Sequence, residues 1–291
     1  MTRAERPDWT TVVEPADLLA ALDDGDVVVI DARFSPALHE DPDAGESAYR
    51  ASHIPGAHYA HLERDLSGPP GSGEGRHPWP SAKAFERVLA RWGVTPDTRV
   101  VAYDDAGGAL AAARVWCLLR MAGHRHVAVL DGGWAAWRER GFPVDAAVPP
   151  EGASTYPVRF DRRSLLDSDE VGRHLAAGGG VVDARAPARF RGEVEPIDRV
   201  AGHVPGAVNR PFADNLEDGR FKSPERLASE FKAMLGDTPA SGWVAMCGSG
   251  VTACHHLLAL AHAGLPGARL ATGSWSGWIE DPARPVAKGP M

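Results

Sequence analysis

Trp243-Val244-Ala245-Met246-Cys247-Gly248-Ser249-Gly250-Val251-Thr252-Ala253-Cys254-His255-His256-Leu257-Leu258-Ala259-Leu260 decides the fold. Its first four residues form a short apolar run, the pattern of a buried strand. Cys247 follows at the C-terminal end of that run. Gly248, Ser249 and Gly250 are small enough for a tight loop, and a helical pattern starts near Val251, with Leu257, Leu258 and Ala261 on one face. A cysteine placed between a strand end and a helix start has loop N–H groups converging on its sulfur and the helix N-terminus adding partial positive charge. These surroundings favour the thiolate, which is the nucleophilic form. A buried cysteine more often serves as a small hydrophobe, but the flanking glycines favour the chemical reading here.

Working outward, the chain repeats itself. Val181-Val182-Asp183-Ala184-Arg185 matches Val29-Ile30-Asp31-Ala32-Arg33, and Gly202-His203-Val204-Pro205-Gly206-Ala207 matches Ser52-His53-Ile54-Pro55-Gly56-Ala57. Val244-Ala245-Met246-Cys247 matches Val101-Ala102-Tyr103-Asp104, and the paired Trp275 and Trp278 match Trp134 and Trp137. The separations drift from 152 residues for Asp31/Asp183 to 141 for Trp134/Trp275, as in a tandem duplication whose loops differ and whose elements do not. Short buried strands alternate with helices in both halves. The expected fold is therefore α/β, two tandem domains, each a parallel sheet with helices on both faces. The expected domains span residues 1–144 and 156–291, joined by an Ala/Pro/Gly-rich linker over 145–155. Ligands of such sheets bind beyond the carboxyl ends of the strands. Cys247 lies at such an end. Its counterpart Asp104 is no nucleophile, so the second half is expected to carry the chemistry.

Composition excludes several classes. The 291 residues carry a net charge of −8 with no basic block, which argues against nucleic acid or an anionic membrane as partner. No long uncharged apolar segment is present, and the first ten residues hold no apolar run. Three cysteines, Cys117, Cys247 and Cys254, make no disulfide framework. The expectation is a cytoplasmic protein in a reducing compartment.

The paired Asp-Ala-Arg, His-Ile/Val-Pro-Gly-Ala and strand-Cys-loop-helix elements resemble the tandem-domain rhodanese family of sulfurtransferases, from about Val12 to Val286. Cys247-Gly248-Ser249-Gly250-Val251-Thr252 resembles the active-site loop of the 3-mercaptopyruvate sulfurtransferase branch. The resemblance implies two rhodanese-like domains and a Cys247 persulfide that takes sulfur from a small anionic donor. It passes that sulfur to a thiol, cyanide or protein acceptor, with no metal or organic cofactor. It implies that backbone amides of Gly248, Gly250, Val251 and Thr252 hold the anionic sulfur and that Arg189 binds the donor's anionic group. The family's second arginine follows a Glu-Pro pair. Here Ile197 follows Glu195-Pro196, and Arg199 is the substitute. A histidine and an acid of the first domain are expected to join Ser249, with His53 and Asp43 in those places. Thiosulfate:cyanide sulfurtransferase is the alternative activity. A non-catalytic sulfur-relay or redox-sensing protein is the alternative outside enzymes.

Other chemistries fail on the same letters. A cysteine phosphatase needs an arginine where Ala253 stands, to clasp phosphate. A Gly-x-Ser-x-Gly elbow would need glycines where Cys247 and Val251 stand. His255 and His256 are neighbours on a helix and point roughly 100° apart, which is unsuited to one zinc ion. Arg33 and Arg185 are expected to form structural ion pairs with neighbouring acids, and Asp31 and Asp183 to share a structural role because they occur in both halves. The tryptophan pairs are expected in the core.

Overall fold

The computed structural model describes residues 8–34, 41 and 43–290. Two five-stranded parallel sheets hold the two halves. The first contains β1 (Val12–Val13), β2 (Val27–Asp31), β3 (His58–Tyr59), β4 (Arg99–Tyr103) and β5 (Val127–Leu130), in the order β1-β5-β4-β2-β3. The second contains β6 (Leu165–Leu166), β7 (Gly180–Asp183), β8 (Val208–Asn209), β11 (Trp243–Met246) and β12 (Arg269–Ala271), in the order β6-β12-β11-β7-β8. The intervening β9 (Leu216–Glu217) and β10 (Arg220–Phe221) form a small antiparallel ribbon. The two sheet orders superimpose term by term, so the duplication read from the sequence is a duplication of topology. Central strands β4 and β11 are fully buried along their length, which is why they read as unbroken apolar runs.

Two helices carry the domain interface. Ala111–Met121 follows β4 and Thr252–His262 follows β11, and they pack against each other. Ala111, Ala112, Ala113, Ala253 and Ala259 are all buried there, and such small side chains let helix backbones approach. One apolar core runs through both halves, from Val100, Val115 and Leu118 to Ala253, Leu257 and Leu258.

The polar stretch before His53 contains a helix, Ala44–Ala51, where the sequence shows only polarity. Its inward side is Gly45 and Tyr49, too sparse a stripe for the apolar period to reveal. Arg33 and Arg185 pair bidentately with Asp31 and Asp183 and also donate to the carbonyls of Ser52 and Gly202. They stack on Trp134 and Trp275 at 4.5 and 4.8 Å. Trp137, Trp275 and Trp278 are buried and Trp134 partly so, in keeping with a packing role. Among the described residues no helix is long and apolar enough to cross a membrane.

Candidate functional site

Cys247 leaves β11 at its carboxyl end and is 1% exposed. Its Sγ accepts the Gly250 N–H at 3.1 Å. The loop is fixed from behind: Ser274 Oγ accepts the Cys247 N–H, and Trp275 and Ser276 donate N–H groups to the carbonyls of Cys247 and Gly248. Gly250 has φ +80° and lies against Thr272 O, so a side chain there would meet backbone. Val251 is buried, and Thr252 opens the helix half-buried. A backbone donor thus lies on Sγ with a helix N-terminus beyond it, an arrangement that can receive negative charge developing on the sulfur.

The first domain reaches this loop through residues 67–80, the Gly/Pro-rich excursion. His77 Nδ1 lies 2.9 Å from Ser249 Oγ, 172 residues away in the chain. Burial, then the charges of Arg114 and Arg76, push the His77 pKa down to about 3. The ring is therefore neutral at physiological pH and meets the serine hydroxyl as a neutral hydrogen-bond partner. Arg114 is completely buried and donates to the carbonyls of Leu66, His77, Pro78 and Gly250. It thereby ties the excursion to the cysteine loop. Arg76 forms an ion pair with Asp198 of the second domain. Glycine permits this seating: Gly75, at φ +73°, lies against the Gly273 carbonyl, and Gly73 O packs on Gly273 and Gly277.

Three residues expected at the site lie elsewhere. His53 is not the partner of Ser249. It is fully buried, its Nδ1 is 2.7 Å from Tyr49 O, and its ring stacks on Tyr49 at 4.1 Å. His203 does the same with Phe190, at 2.7 Å from its carbonyl and 3.8 Å between rings. Each histidine also forms a bridge to a later strand-like segment, at Asp145 and Ala287. The motif histidine is therefore a scaffold element in both halves. Asp43 is exposed at the start of helix Ala44–Ala51 with its N–H on Asp41, and among the described residues it bonds to neither His77 nor Ser249. Arg199 is tied to the Ile279 carbonyl, and Ile197 is 45% exposed. Arg189 lies at the loop: a methyl group built on Gly248 would lie 3.6 Å from both of its terminal nitrogens. Its Nε and Nη2 are held by Glu195, and Nη2 also by Asp198 at 3.0 Å.

No local pattern ties His77, Arg76 or Arg114 to Cys247. The sequence signal they leave is the polar run Glu74 to His77 inside a stretch otherwise rich in Gly and Pro.

The first domain keeps the cradle and fills it from within. Asp104 stands where Cys247 stands, and its carboxylate accepts N–H groups from Ala106, Gly108, Leu110 and Ala112. Burial raises its pKa, and those four bonds oppose the rise. The loop N–H groups of the first domain are thus met by the chain's own acidic side chain.

Residues 14–140 and 167–281 each match the rhodanese-like domain family. The chain is 49% identical over 276 residues to a probable 3-mercaptopyruvate sulfurtransferase of Pseudomonas aeruginosa, covering 94% of this chain and 96% of the relative. It is 36% identical to a thiosulfate sulfurtransferase of Gallus gallus, with 86% of each chain covered. The crystal structure of a 3-mercaptopyruvate sulfurtransferase from Escherichia coli superimposes with a TM-score of 0.78 at 31% identity, covering 92% of this chain and 99% of that one. With two sheets of one topology, a cysteine loop in the second half and a family match over both halves, this chain belongs to the rhodanese family.

Proposed function

We propose that this protein is a sulfurtransferase that takes sulfur from 3-mercaptopyruvate onto Cys247 and delivers it to a thiol or cyanide. The observation that carries the reading is the Gly250 N–H on Cys247 Sγ in a closed loop between a strand end and a helix start. The similarity to 3-mercaptopyruvate sulfurtransferases supports the donor.

In this reading the Cys247 thiolate attacks the donor's sulfur and the carbon–sulfur bond breaks. The bonding electrons leave with the carbon as pyruvate enolate. The thiol proton passes to that carbon, giving pyruvate and a Cys247 persulfide anion. Ser249 and His77 are the proton route, with Nδ1 of a neutral imidazole at the serine hydroxyl. Backbone amides of the loop receive the persulfide charge. An acceptor thiolate or cyanide then attacks the outer sulfur and releases Cys247 as thiolate. Cys247 turns over, so excess donor and acceptor give many transfers per chain. A non-catalytic carrier would stop at one.

Thiosulfate is the second reading. Arg76 supports it by bringing a full positive charge to Gly248, which residues 248–253 themselves lack, and a dianion benefits from that charge. Incubation with donor alone is expected to add one sulfur to the Cys247 peptide, and Cys247→Ser to abolish adduct and turnover. An adduct on Cys254 or Cys117 would overturn the assignment. A kcat/KM for mercaptopyruvate above that for thiosulfate is the expected donor order.

A further inference from the structure

The guanidinium of Arg76 belongs to the first domain but is positioned by the second. The Arg76 N–H donates to Ser276 Oγ at 3.1 Å, and the N–H groups of Gly73 and Gly75 donate to the Glu280 carboxylate. Its side chain then meets Asp198, whose carboxylate bridges two cations: Oδ1 pairs with Arg76 Nη1, and Oδ2 takes Arg189 Nη2 at 3.0 Å. Arg76 and Arg189 are thus spaced to share one carboxylate. Each keeps a further nitrogen turned toward the cysteine loop. A methyl group on Gly248 would lie 3.1 Å from Arg76 Nη2 and 3.6 Å from Arg189 Nη1. Among the described residues neither of these two atoms has a hydrogen-bond acceptor. Arg199 is spent on Ile279 O and Arg114 on four carbonyls, so neither supplies the second cation.

We propose that Arg76 and Arg189 form one anion clamp across the domain boundary, with Asp198 as its internal placeholder, and that this clamp selects sulfur donors by their anionic end. The proposal rests on Cys247 being the sulfur-accepting group. Two guanidinium groups converging on one point give charge-assisted, multiply hydrogen-bonded recognition of a carboxylate or other small oxyanion. The clamp faces the residue next to Cys247, so the anionic group and the transferable sulfur must sit a few bonds apart on one small molecule. Asp198 and Glu195 balance both cations at rest. An incoming anion therefore competes with Asp198 for them. Removing Asp198's charge should strengthen anion binding, whereas removing Arg76's should weaken it.

That opposition of sign is the test. Cys247 is alkylated with iodoacetate, which carries a carboxylate, and with iodoacetamide, its neutral counterpart; the thiolate displaces iodide in both. The ratio of the two rates reads the clamp without any sulfur donor. Arg76→Gln is expected to lower the ratio about tenfold, the scale of one lost charged hydrogen bond. Arg76→Lys should recover part of it, and Asp198→Asn should raise it. KM for mercaptopyruvate should follow the ratio inversely, with kcat changing less. A fall of less than threefold in Arg76→Gln overturns the clamp. So does an Asp198→Asn variant that falls as Arg76→Gln does, because the pair would then be only a tether between domains. If Arg76→Gln fails to fold, the sign of the Asp198→Asn change decides alone. Wild-type protein that turns over neither mercaptopyruvate nor thiosulfate would overturn the sulfurtransferase reading, while the alkylation ratio would still decide the clamp.

Discussion

Two histidines of the first domain separate scaffold from chemistry at the scale of single residues. His53 bonds to Tyr49 O and stacks on its ring, so His53→Gln is expected to cost stability, about 1–2 kcal/mol by denaturant titration, and to leave kcat per folded molecule within a few-fold. His77 faces Ser249. His77→Gln should lower kcat by about 10²-fold or more, as expected on loss of a positioned proton-transfer partner of Ser249, with a KM change of only a few-fold. Equal kcat losses in the two variants would remove His77 from the proton route. Asp104 makes a third contrast. Asp104→Ala leaves four loop N–H groups without their acceptor, and a loss of about 2–4 kcal/mol is expected. Turnover per folded chain should survive, since the first-domain cradle holds no nucleophile. A loss as complete as in Cys247→Ser, in folded protein, would mean that Asp104 takes part in the reaction.

At the scale of elements, the excursion over residues 67–80 matters because it crosses the interface without regular structure. Its docking depends on glycine at 75, where φ is +73° and the Gly273 carbonyl is in contact. Gly75→Ala adds strain at a left-handed residue and a collision with backbone. The expected outcome is a folded protein whose kcat/KM is lowered at least tenfold, because His77 and Arg76 are both displaced. Limited proteolysis between residues 68 and 80 should become faster. A Gly75→Ala variant with wild-type kinetics would show that the excursion need not seat closely for catalysis.

The whole molecule carries a pH dependence written in its buried histidines. Burial pushes His77 and His255 down to about 3 and His256 to about 4. Below the unfolded histidine value of about 6.5 the unfolded chain binds protons that the folded one refuses, so folding stability falls as pH falls. Their stabilisation is complete above about 6.5, and each residue is expected to forfeit on the order of 1–2 kcal/mol by pH 5. Urea midpoints at pH 7.5 and pH 5 read this directly, and His255→Phe or His256→Phe should shrink the difference. A midpoint that does not drop would show that these rings are protonated in the fold. The shared core makes a second prediction at this scale. The second half expressed alone would bare Ala253, Leu257 and Leu258 of the interface helix and would lack Arg76 and His77. It is expected to associate or aggregate and to show no turnover with mercaptopyruvate.

Strong local pattern carried the fold, and the helix Ala44–Ala51, with only Gly45 and Tyr49 inward, escaped it. Apolar runs ending in Asp31, Asp104, Asp183 and Cys247 marked the central strands, and their repetition specified two sheets of one topology. Glycines around Cys247 marked an anion-holding loop, because a tight turn needs them wherever it occurs. The Ala188-Arg189-Phe190 motif pointed to Arg189, and the fold sets that side chain beside Gly248. Tertiary structure alone decided which first-domain side chains meet that loop. His53 had the better motif and lies in the scaffold; His77 had none and touches Ser249. The reason is physical: helices and strands impose a period on the sequence, whereas the excursion carrying Arg76 and His77 is placed by glycine contacts and by Arg114 bonding to carbonyls. Such contacts join residues far apart in the chain and leave no period to read. The same holds for the cations: the sequence pointed to Arg199, which the fold ties to the Ile279 carbonyl, while Arg76 reaches Gly248 from the first domain.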